Sequence, residues 1–175
     1  MMSTITSAHF SILLNGSPSC SFTASRGLRQ GDPLSPFLFI LTAEGLGRLI
    51  KQKVLAGEVK GLNLWGPHLT LSHQQFVDDI MLFFQATLRE CKAILDILNT
   101  FMQPSGMMVN KGKSNVFFLN TAPQSQRFLT RILGFTLGAF PSKYLGMPFS
   151  ENVVRTSCWK ALLTRIQKHM LNWPF

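Results

Sequence analysis

Two adjacent aspartates, Asp78 and Asp79, are the residues of this chain best suited to metal-dependent chemistry. They follow Phe76-Val77 and precede the apolar run of residues 80–84. Neighbouring carboxylates repel each other and cannot be buried without a partner, so a bound divalent cation is a natural compensation. Asp is also a frequent turn residue, and the pair taken by itself is consistent with a hairpin turn. The surrounding sequence has to decide between the two interpretations.

A second candidate site lies some forty residues upstream, where a basic, glycine-containing loop precedes a predicted helix. Asp32 is suited to cap that helix, with Pro33 at its first position. The loop can approach an anion closely and carries positive charge beside a helix N-terminus, which itself favours anions. In isolation the same pattern is typical of a solvated connection. The residues concerned are Arg26, Gly27, Arg29 and Gly31.

These segments belong to an ordered set of four motifs. The motifs are Gly27-Leu28-Arg29-Gln30-Gly31-Asp32-Pro33-Leu34-Ser35-Pro36, Phe76-Val77-Asp78-Asp79, Gly106 through Val109-Asn110-Lys111-Gly112-Lys113-Ser114, and Lys143-Tyr144-Leu145-Gly146-Met147-Pro148. In content, order and spacing the set resembles the reverse transcriptases of non-LTR (LINE-type) retrotransposons, particularly those of plant genomes. The resemblance runs from about residue 9 to the end, and such a set is far more specific than any one of its parts.

The resemblance implies an RNA-directed DNA polymerase that extends a DNA primer on an RNA template with deoxynucleoside triphosphates. Asp78 would bind the two catalytic Mg²⁺ or Mn²⁺ ions, and Asp79 would lie beside them. Lys113 would sit near the triphosphate as a general acid. The remaining roles implied are the nucleotide and template pocket at Arg29, Gln30 and Gly31, and the primer grip at Tyr144, Leu145 and Gly146.

One catalytic group of the family has no counterpart here. Another carboxylate precedes the Arg-Gln-Gly-Asp segment in those enzymes, whereas the first acidic residue of this chain is Asp32 itself. We therefore expect a fragment that lacks the fingers and the first catalytic motif, and no polymerisation without the missing N-terminal part of the polymerase. The alternative is a non-catalytic retroelement remnant that at most binds nucleic acid.

The hydrophobic pattern predicts an α+β fold in which a mostly antiparallel, palm-like sheet packs on helices. By resemblance, residues 1–150 would form a partial palm and residues 151–175 the start of a helical thumb. The predicted elements are a hairpin of Phe10–Leu14 and Cys20–Thr23 around Asn15-Gly16, a helix from Pro33 to about Lys53, strands at Leu62–Trp65 and before Asp78, a helix from Thr87 to about Phe101, a strand at Val116–Leu119, and a basic amphipathic helix at Trp159–Trp173.

Two further expectations concern packing. The helix from Pro33 should bury one face, formed by Leu34, Phe37, Leu38, Leu41, Leu46, Leu49 and Ile50. The strand before the Asp pair contains Gln74-Gln75 where apolar packing would be expected, which counts against the fit of that hairpin.

Composition agrees with a polyanionic partner without establishing one. The net charge is +9 and the pI is near 10.0, which favours RNA or DNA, although exposed basic residues also keep a hydrophobic chain soluble. Three scattered cysteines provide neither a disulfide framework nor a zinc site, and His73 is expected to be structural. With no apolar run long enough to span a membrane and no signal peptide, we expect an intracellular protein of the nucleus or cytoplasm.

Overall fold

The computed structural model describes residues 9–24, 27–64, 69–151 and 156–171. The chain divides into two compact units, residues 1–109 and 110–175, and each is described by itself. The loop residue Arg26 and Trp65, the last residue of the predicted strand Leu62–Trp65, lie outside the described residues. The domain boundary at residue 150 stays a prediction.

The first unit combines short antiparallel strand pairs with two long helices. Its described elements are β1 (His9–Phe10), β2 (Leu13–Leu14), β3 (Ser17–Pro18), β4 (Phe22–Thr23), α1 (Ser35–Leu55), β5 (Leu62–Asn63), β6 (Thr70–Leu71), β7 (His73–Phe76), β8 (Asp79–Leu82) and α2 (Leu88–Ser105). The pairs are β1–β4, β2–β3, β5–β6 and β7–β8. The predicted N-terminal hairpin is confirmed: Asn15 and Gly16 have φ values of 52° and 83°, as a type I′ turn requires.

Helix α1 begins two residues later than predicted. Asp32 Oδ1 accepts a hydrogen bond from the Leu34 backbone N–H at 2.9 Å, and the Asp32 carbonyl oxygen accepts one from the Ser35 N–H at 3.1 Å. Asp32 therefore closes the turn that leads into the helix, and Pro36 falls in the first helical turn, where it removes no intrahelical hydrogen bond.

The expected burial of one face of α1 is correct only for the C-terminal half of the helix. Leu46 and Ile50 are buried, but Leu34, Phe37 and Leu41 are 39%, 66% and 68% exposed. Helical periodicity predicts which residues share a face, but burial also requires a neighbouring element. Within the first unit, α2 packs against α1 near Leu46 and Ile50, and no described element covers the beginning of α1.

Helix α2 supplies most of the core of this unit. Its buried apolar side chains, which lie with Leu46, Ile50 and Val59, are Cys91, Ala93, Ile94, Ile97, Leu98 and Phe101. The helix predicted from Thr87 has this residue as its N-cap, because Thr87 Oγ1 accepts from the Glu90 N–H at 3.3 Å. The helix ends four residues later than expected: Pro104 lies within the last turn, and Gly106, at φ 68°, is the C-cap.

The second unit contains β9 (Asn115–Val116), α3 (Pro123–Leu133), β10 (Thr136–Leu137), β11 (Ser142–Tyr144), β12 (Met147–Phe149) and α4 (Thr156–Leu171). Strands β9 and β10 are parallel with α3 between them, and β11–β12 is an antiparallel hairpin. The strand expected at Val116–Leu119 is thus displaced and shorter. Helix α3 was not predicted from the sequence, although Pro123 at its start and Gly134 at its C-cap, with φ 71°, are signals for a helix.

The core of the second unit includes a cluster of three aromatic rings. The ring centroids of Phe117, Phe140 and Phe149 lie 5.1 to 5.5 Å apart, and Val116, Leu129 and Leu133 are buried. Five of the six described strand pairs are antiparallel, and each pair forms a sheet of its own. The predicted α+β class is confirmed, with strand pairs in place of one continuous sheet.

Candidate active site

The Asp pair lies at the tip of the β7–β8 hairpin. Phe76 pairs with Asp79, so Val77 and Asp78 form a two-residue turn. Val77 has a φ of 53°, which is rare for a β-branched residue and costs about 1–3 kcal/mol of backbone strain. Asp78 and Asp79 are both exposed. The turn interpretation of the pair is therefore confirmed, and the same turn leaves both carboxylates accessible to a cation.

Polar contacts attach the hairpin to α1. His73 and Gln75 are half-buried on the strand face towards the helix, while Gln74 and Phe76 are exposed on the other face. Gln75 Nε2 donates to the carbonyl oxygen of Ala43 at 3.3 Å. The alternation of strand side chains thus separates the two glutamines, and the inward one has a hydrogen-bond partner.

Gly47 allows this close approach. A Cβ atom at Gly47 would lie 3.3 Å from His73 Nε2 and 3.4 Å from Gln75 Oε1. Gly47 is also buried, and even a methyl group there would require the end of the His73 side chain to move by a few tenths of an ångström. The absence of a side chain at Gly47 thus allows His73 and Gln75 to approach α1 closely.

His73 has a structural environment rather than a metal-binding one. Its Nδ1 lies 3.0 Å from the Ser72 hydroxyl, and its Nε2 faces Gly47. Burial lowers the pKa of His73 below its ordinary value, the positive charge of Lys51 lowers it further, and Glu44 opposes the shift. The neutral imidazole is therefore the form that the fold favours.

The donor chemistry of the pair suits Mg²⁺, but the donors are few. Carboxylate oxygens are the ligands that Mg²⁺ prefers, and it is often bound by one or two of them together with substrate phosphates. Among the described residues, no group of three or more His, Cys, Asp or Glu side chains is placed to hold a metal ion. Asp78 and Asp79 could thus supply some, but not all, of the ligands of a magnesium site.

Other acidic side chains of the first unit already have partners. Glu44 accepts from Arg48 at 3.1 Å. Glu58 and Asp96 lie 2.8 and 3.0 Å from Lys53 Nζ, which connects the end of α1 to α2. These hydrogen bonds, that to Glu58 foremost, raise the pKa of Lys53.

The Thr87-x-x-Glu90 spacing predicts a capping box, but the Thr87 N–H bonds to the Gln85 carbonyl oxygen, and the buried Glu90 carboxylate has other partners. It is 4% exposed, and its Oε2 accepts from the backbone N–H groups of Gln85 at 2.8 Å and Lys60 at 3.3 Å. Gln85 lies three residues beyond β8, whereas Lys60 precedes β5. Glu90 therefore attaches two loop segments, the one before α2 and the one before β5, to the N-terminus of α2. The Thr-x-x-Glu pattern indicates the helix cap but gives no information about these two hydrogen-bond partners.

The loop before α1 keeps its backbone ordered and its side chains in solvent. The Arg29 carbonyl oxygen accepts from Ser35 Oγ at 2.8 Å and from the Asp32 N–H at 3.4 Å. Gly31 has a φ of 84°, and Arg29 and Gln30 are exposed. Exposure of a guanidinium and an amide beside a helix start is compatible with anion binding, and their role in a nucleotide pocket stays a prediction.

Lys113 lies in a tight loop of the second unit. Asn110 Oδ1 accepts from the N–H groups of Gly112 at 3.1 Å and Lys113 at 3.2 Å, and the Asn110 carbonyl oxygen accepts from Ser114 Oγ at 2.8 Å. The backbone N–H groups of Gly112 and Lys113 are thus already hydrogen-bonded to Asn110. The side chains of Lys111 and Lys113 are exposed and can contact a ligand.

The predicted primer-grip residues form the turn of the β11–β12 hairpin. Tyr144 pairs with Met147, and Leu145 and Gly146 have φ values of 51° and 81°. Arg165 of α4 lies over this turn: its Nη1 is 3.5 Å from the place where a Cβ of Gly146 would be. The amphipathic pattern had predicted the helix without distinguishing Arg165. That these residues and Lys113 join Asp78 in one site stays a prediction, because they belong to different units.

Comparison with known proteins decides the family. A family model for reverse transcriptase (RNA-dependent DNA polymerase) matches residues 2–149. The chain belongs to the reverse transcriptase family. The match includes the Asp hairpin, the Asn110–Ser114 loop and the β11–β12 hairpin.

This chain is similar to a protein described as mitochondrial and to a retrotransposon polyprotein. It is 36% identical over 121 residues to an uncharacterized mitochondrial protein of Arabidopsis thaliana, covering 66% of this chain and 95% of that protein. It is 28% identical over 145 residues to the retrovirus-related Pol polyprotein from the type-2 retrotransposable element R2DM of Drosophila melanogaster, covering 78% of this chain and 13% of the polyprotein. Among the described residues, no helix is long and apolar enough to span a membrane.

Proposed function

We propose that this chain is the palm portion of a non-LTR retrotransposon reverse transcriptase, extending into the start of a thumb. Asp78 and Asp79 supply carboxylates to the catalytic metal site. Arg29, Gln30 and Gly31 contact the incoming nucleotide and its template base, Lys113 lies near the triphosphate, and Tyr144, Leu145 and Gly146 hold the primer end. The substrates are deoxynucleoside triphosphates, a DNA primer and an RNA template, and the site of action is the nucleus or cytoplasm.

The observation that carries this proposal is the geometry of the Asp hairpin in a chain of this family. A two-residue turn places Asp78 and Asp79 next to each other and exposes both. Nucleotidyl transfer of this kind requires carboxylates that hold two divalent ions about 3.5–4 Å apart. Bound there, Mg²⁺ would polarise the phosphate under attack and stabilise the charge that develops on it.

The residues of the chain itself would bind and orient. Asp78 and Asp79 would hold the metal, while the exposed Arg29 and the lysines of the Asn110–Ser114 loop would attract the phosphates of the nucleotide. Because two carboxylates are fewer than a two-metal site needs, we expect no primer extension by this chain without a further acidic ligand.

Metal binding tests the site directly. We expect Mn²⁺ to bind the purified chain, as measured by the loss of the free-ion signal in electron paramagnetic resonance. Asp78→Asn should weaken that binding about tenfold or more, because a metal-ligating carboxylate becomes a neutral amide. The matched control Glu151→Gln removes one exposed acidic charge from the second unit and should have no effect. Equal binding by wild type and Asp78→Asn would contradict the proposed metal site.

Primer extension on an RNA template tests catalysis. We expect the chain alone to give no Mg²⁺-dependent product. If it extends a primer and Asp78→Asn abolishes the product, another group completes the metal site and the proposed incompleteness is wrong.

A second candidate function is a non-catalytic retroelement remnant that at most binds nucleic acid. The two-carboxylate site and the lack, among the described residues, of a third metal ligand beside it favour this candidate. Absence of Mn²⁺ binding at Asp78 would select it over the first.

A further inference from the structure

The Asn110–Ser114 loop of the second unit is closed by hydrogen bonds that all have Asn110 as their acceptor. The Asn110 carbonyl oxygen accepts from the backbone N–H groups of Lys113 at 3.1 Å and Ser114 at 3.0 Å, in addition to the Ser114 hydroxyl. The Asn110 side chain accepts from the N–H groups of Gly112 and Lys113, as described above. These bonds make the loop one compact turn, so a contact made by one of its residues also restrains the others.

The end of this loop is attached to the strand that follows α3. The Ser114 carbonyl oxygen accepts from the Thr136 N–H at 3.3 Å, and the parallel pair β9–β10 begins there, with Asn115 opposite Thr136. Val116 of β9 and Leu133 of α3 are both buried. The C-terminal end of the loop is therefore fixed to the core of the second unit.

The side chain of Lys111 provides a second attachment, at the C-terminus of α3. Lys111 Nζ lies 3.5 Å from the place where a Cβ of Gly134 would be, and Gly134 is the C-cap of this helix. The last carbonyl groups of a helix carry partial negative charge, so an ammonium group beside them is stabilised. Glu151 is the only acidic residue in the sequence from 110 to 175. The negative end of α3 is thus one of the few anionic groups that this unit offers to Lys111.

The two lysines of the loop therefore have different surroundings, although they are only two residues apart. Lys111 extends to the end of α3, whereas the backbone of Lys113 is held by Asn110 and its side chain is exposed. Because the loop is a compact turn, a restraint on Lys111 also limits the movement of the backbone that carries Lys113.

We propose that Lys111 is a positioning residue. Its ammonium group, at the C-terminus of α3, holds the Asn110–Ser114 loop in place, so that Lys113 is the lysine of the loop that contacts the triphosphate. Restraining the backbone below a flexible lysine side chain reduces the entropy that is lost when its ammonium group binds a phosphate. The inference rests on the proposed function for its ligand, but the attachment of the loop to α3 needs no ligand.

Amide hydrogen exchange of the isotope-labelled full chain, followed by NMR without any ligand, tests the attachment. The reporters are the N–H groups of Gly112, Lys113 and Ser114, because all three donate to Asn110. Lys111→Gln should raise their exchange rates about two- to fivefold, the factor that a cation contributes at a helix C-terminus. Lys111→Arg retains the cation and should restore the wild-type rates. Unchanged exchange in Lys111→Gln would overturn the proposal.

The matched control is Arg131→Gln, which removes another positive charge from the same end of the helix. Arg131 lies in the last turn of α3 and is exposed, and it belongs to the helix and not to the loop. We expect this variant to leave the exchange of the three loop amides unchanged. Equal increases in Arg131→Gln and Lys111→Gln would show that the charge at the helix end, and not the attachment of the loop, controls these amides, and the proposal would be wrong.

Chemical labelling of the full chain tests the division of roles between the two lysines. Pyridoxal phosphate forms an imine with lysine amino groups, borohydride reduction makes the product permanent, and mass spectrometry locates it. Inorganic tripolyphosphate should protect Lys113 from the label, and Lys111 much less. In Lys111→Gln, equal protection of Lys113 should require about two- to fivefold more tripolyphosphate. Lys111→Arg should restore the wild-type requirement, and Arg131→Gln, which loses the same charge, should not change it.

The outcomes separate this inference from the proposed function. Equal protection of Lys111 and Lys113 would overturn the division of roles. Protection of neither lysine would contradict the proposed place of Lys113 near the triphosphate, and the ligand assigned to it here would be wrong as well. The exchange rates, measured without ligand, then still decide whether Lys111 holds the loop.

Discussion

Val77 shows how one residue shapes the candidate active site. Its positive φ lets Phe76 and Asp79 pair directly across the turn, so both aspartates lie at the tip of the hairpin. A β-branched side chain disfavours this backbone conformation, and at 64% exposure it gains little burial in return. The strain is therefore maintained by the rest of the hairpin and by its contacts with α1.

Val77→Gly is expected to raise the free energy of unfolding by about 1 kcal/mol. Relief of about 1–3 kcal/mol of strain should exceed the extra backbone entropy that glycine loses on folding, about 0.5–1 kcal/mol. Urea denaturation measures the difference. In the control Val59→Gly, which removes a fully buried side chain at an unstrained position, stability should fall. A loss of stability in both variants would show that the Val77 turn is not strained.

His73 is the residue whose titration should affect the hairpin. Because its pKa is lowered in the folded chain, the unfolded chain binds a proton at a higher pH than the folded chain does. The contribution of His73 to stability is thus complete above the ordinary pKa of about 6.5 and decreases as the pH falls towards the folded value.

We therefore expect the free energy of unfolding of the wild type to decrease as the pH falls from about 7.5 to about 5.5. In His73→Gln this decrease should be smaller. His9→Gln, at an exposed histidine of the same unit, is the control and should behave as wild type. An identical pH dependence in wild type and His73→Gln would exclude His73 as the source.

At the scale of elements, α2 organises the first unit through both apolar and polar contacts. Its apolar side packs on α1, while Glu90 in its first turn accepts hydrogen bonds from two connections that lie 5 and 30 residues away along the chain. A buried carboxylate at a helix N-terminus is favoured by the helix dipole, and here it also satisfies backbone donors that have lost contact with water.

Glu90→Ala is expected to lower the free energy of unfolding by about 2–4 kcal/mol, because it leaves two N–H groups without their acceptor. Glu90→Gln should cost much less, since both bonds use one oxygen and the amide oxygen can replace it. Thermal or urea denaturation distinguishes the two variants, with Glu44→Ala on the exposed side of α1 as the control. Equal losses for Ala and Gln would mean that the negative charge, and not the acceptor, stabilises this junction.

At the scale of the whole molecule, apolar side chains remain exposed in both units. Phe37, Ile40 and Leu41, near the beginning of α1, are each more than 60% exposed. Contiguous apolar surface of this kind promotes association. The periodicity predicted that this face would be buried, but no described element of the first unit covers it.

The isolated chain is accordingly expected to self-associate as its concentration rises, which sedimentation velocity measures. Phe37→Gln/Ile40→Gln/Leu41→Gln should reduce the associated fraction, because it makes this surface polar while keeping good helix formers. The comparison variant Leu163→Gln/Met170→Gln/Leu171→Gln alters exposed apolar residues of α4; an equal reduction there would show that exposed apolar surface in general, and not the beginning of α1, causes association. A concentration-independent monomer in the wild type would contradict this expectation.

The amino-acid sequence by itself determined the features that depend on residues close together in the chain. These include the Asn15-Gly16 turn, the Thr87 cap, the amphipathic α4 and the ordered motifs that identify a reverse transcriptase. Local backbone preferences and short spacings suffice for them, because the interacting groups are only a few residues apart. The limits of α1 and the last turn of α2 were predicted within two to four residues for the same reason.

Only the tertiary structure decided which surfaces meet. Gln75 lies 32 residues from Ala43 and Glu90 lies 30 residues from Lys60, and no local pattern specifies either contact. Burial of α1 follows the position of α2, so periodicity alone wrongly predicted that Phe37 and Leu41 would be covered. Likewise, the charge of Arg165 was evident in the sequence, but its place over Gly146 depends on how α4 packs against the hairpin. A side chain's type is a local property, whereas its partner depends on how the chain brings distant segments together.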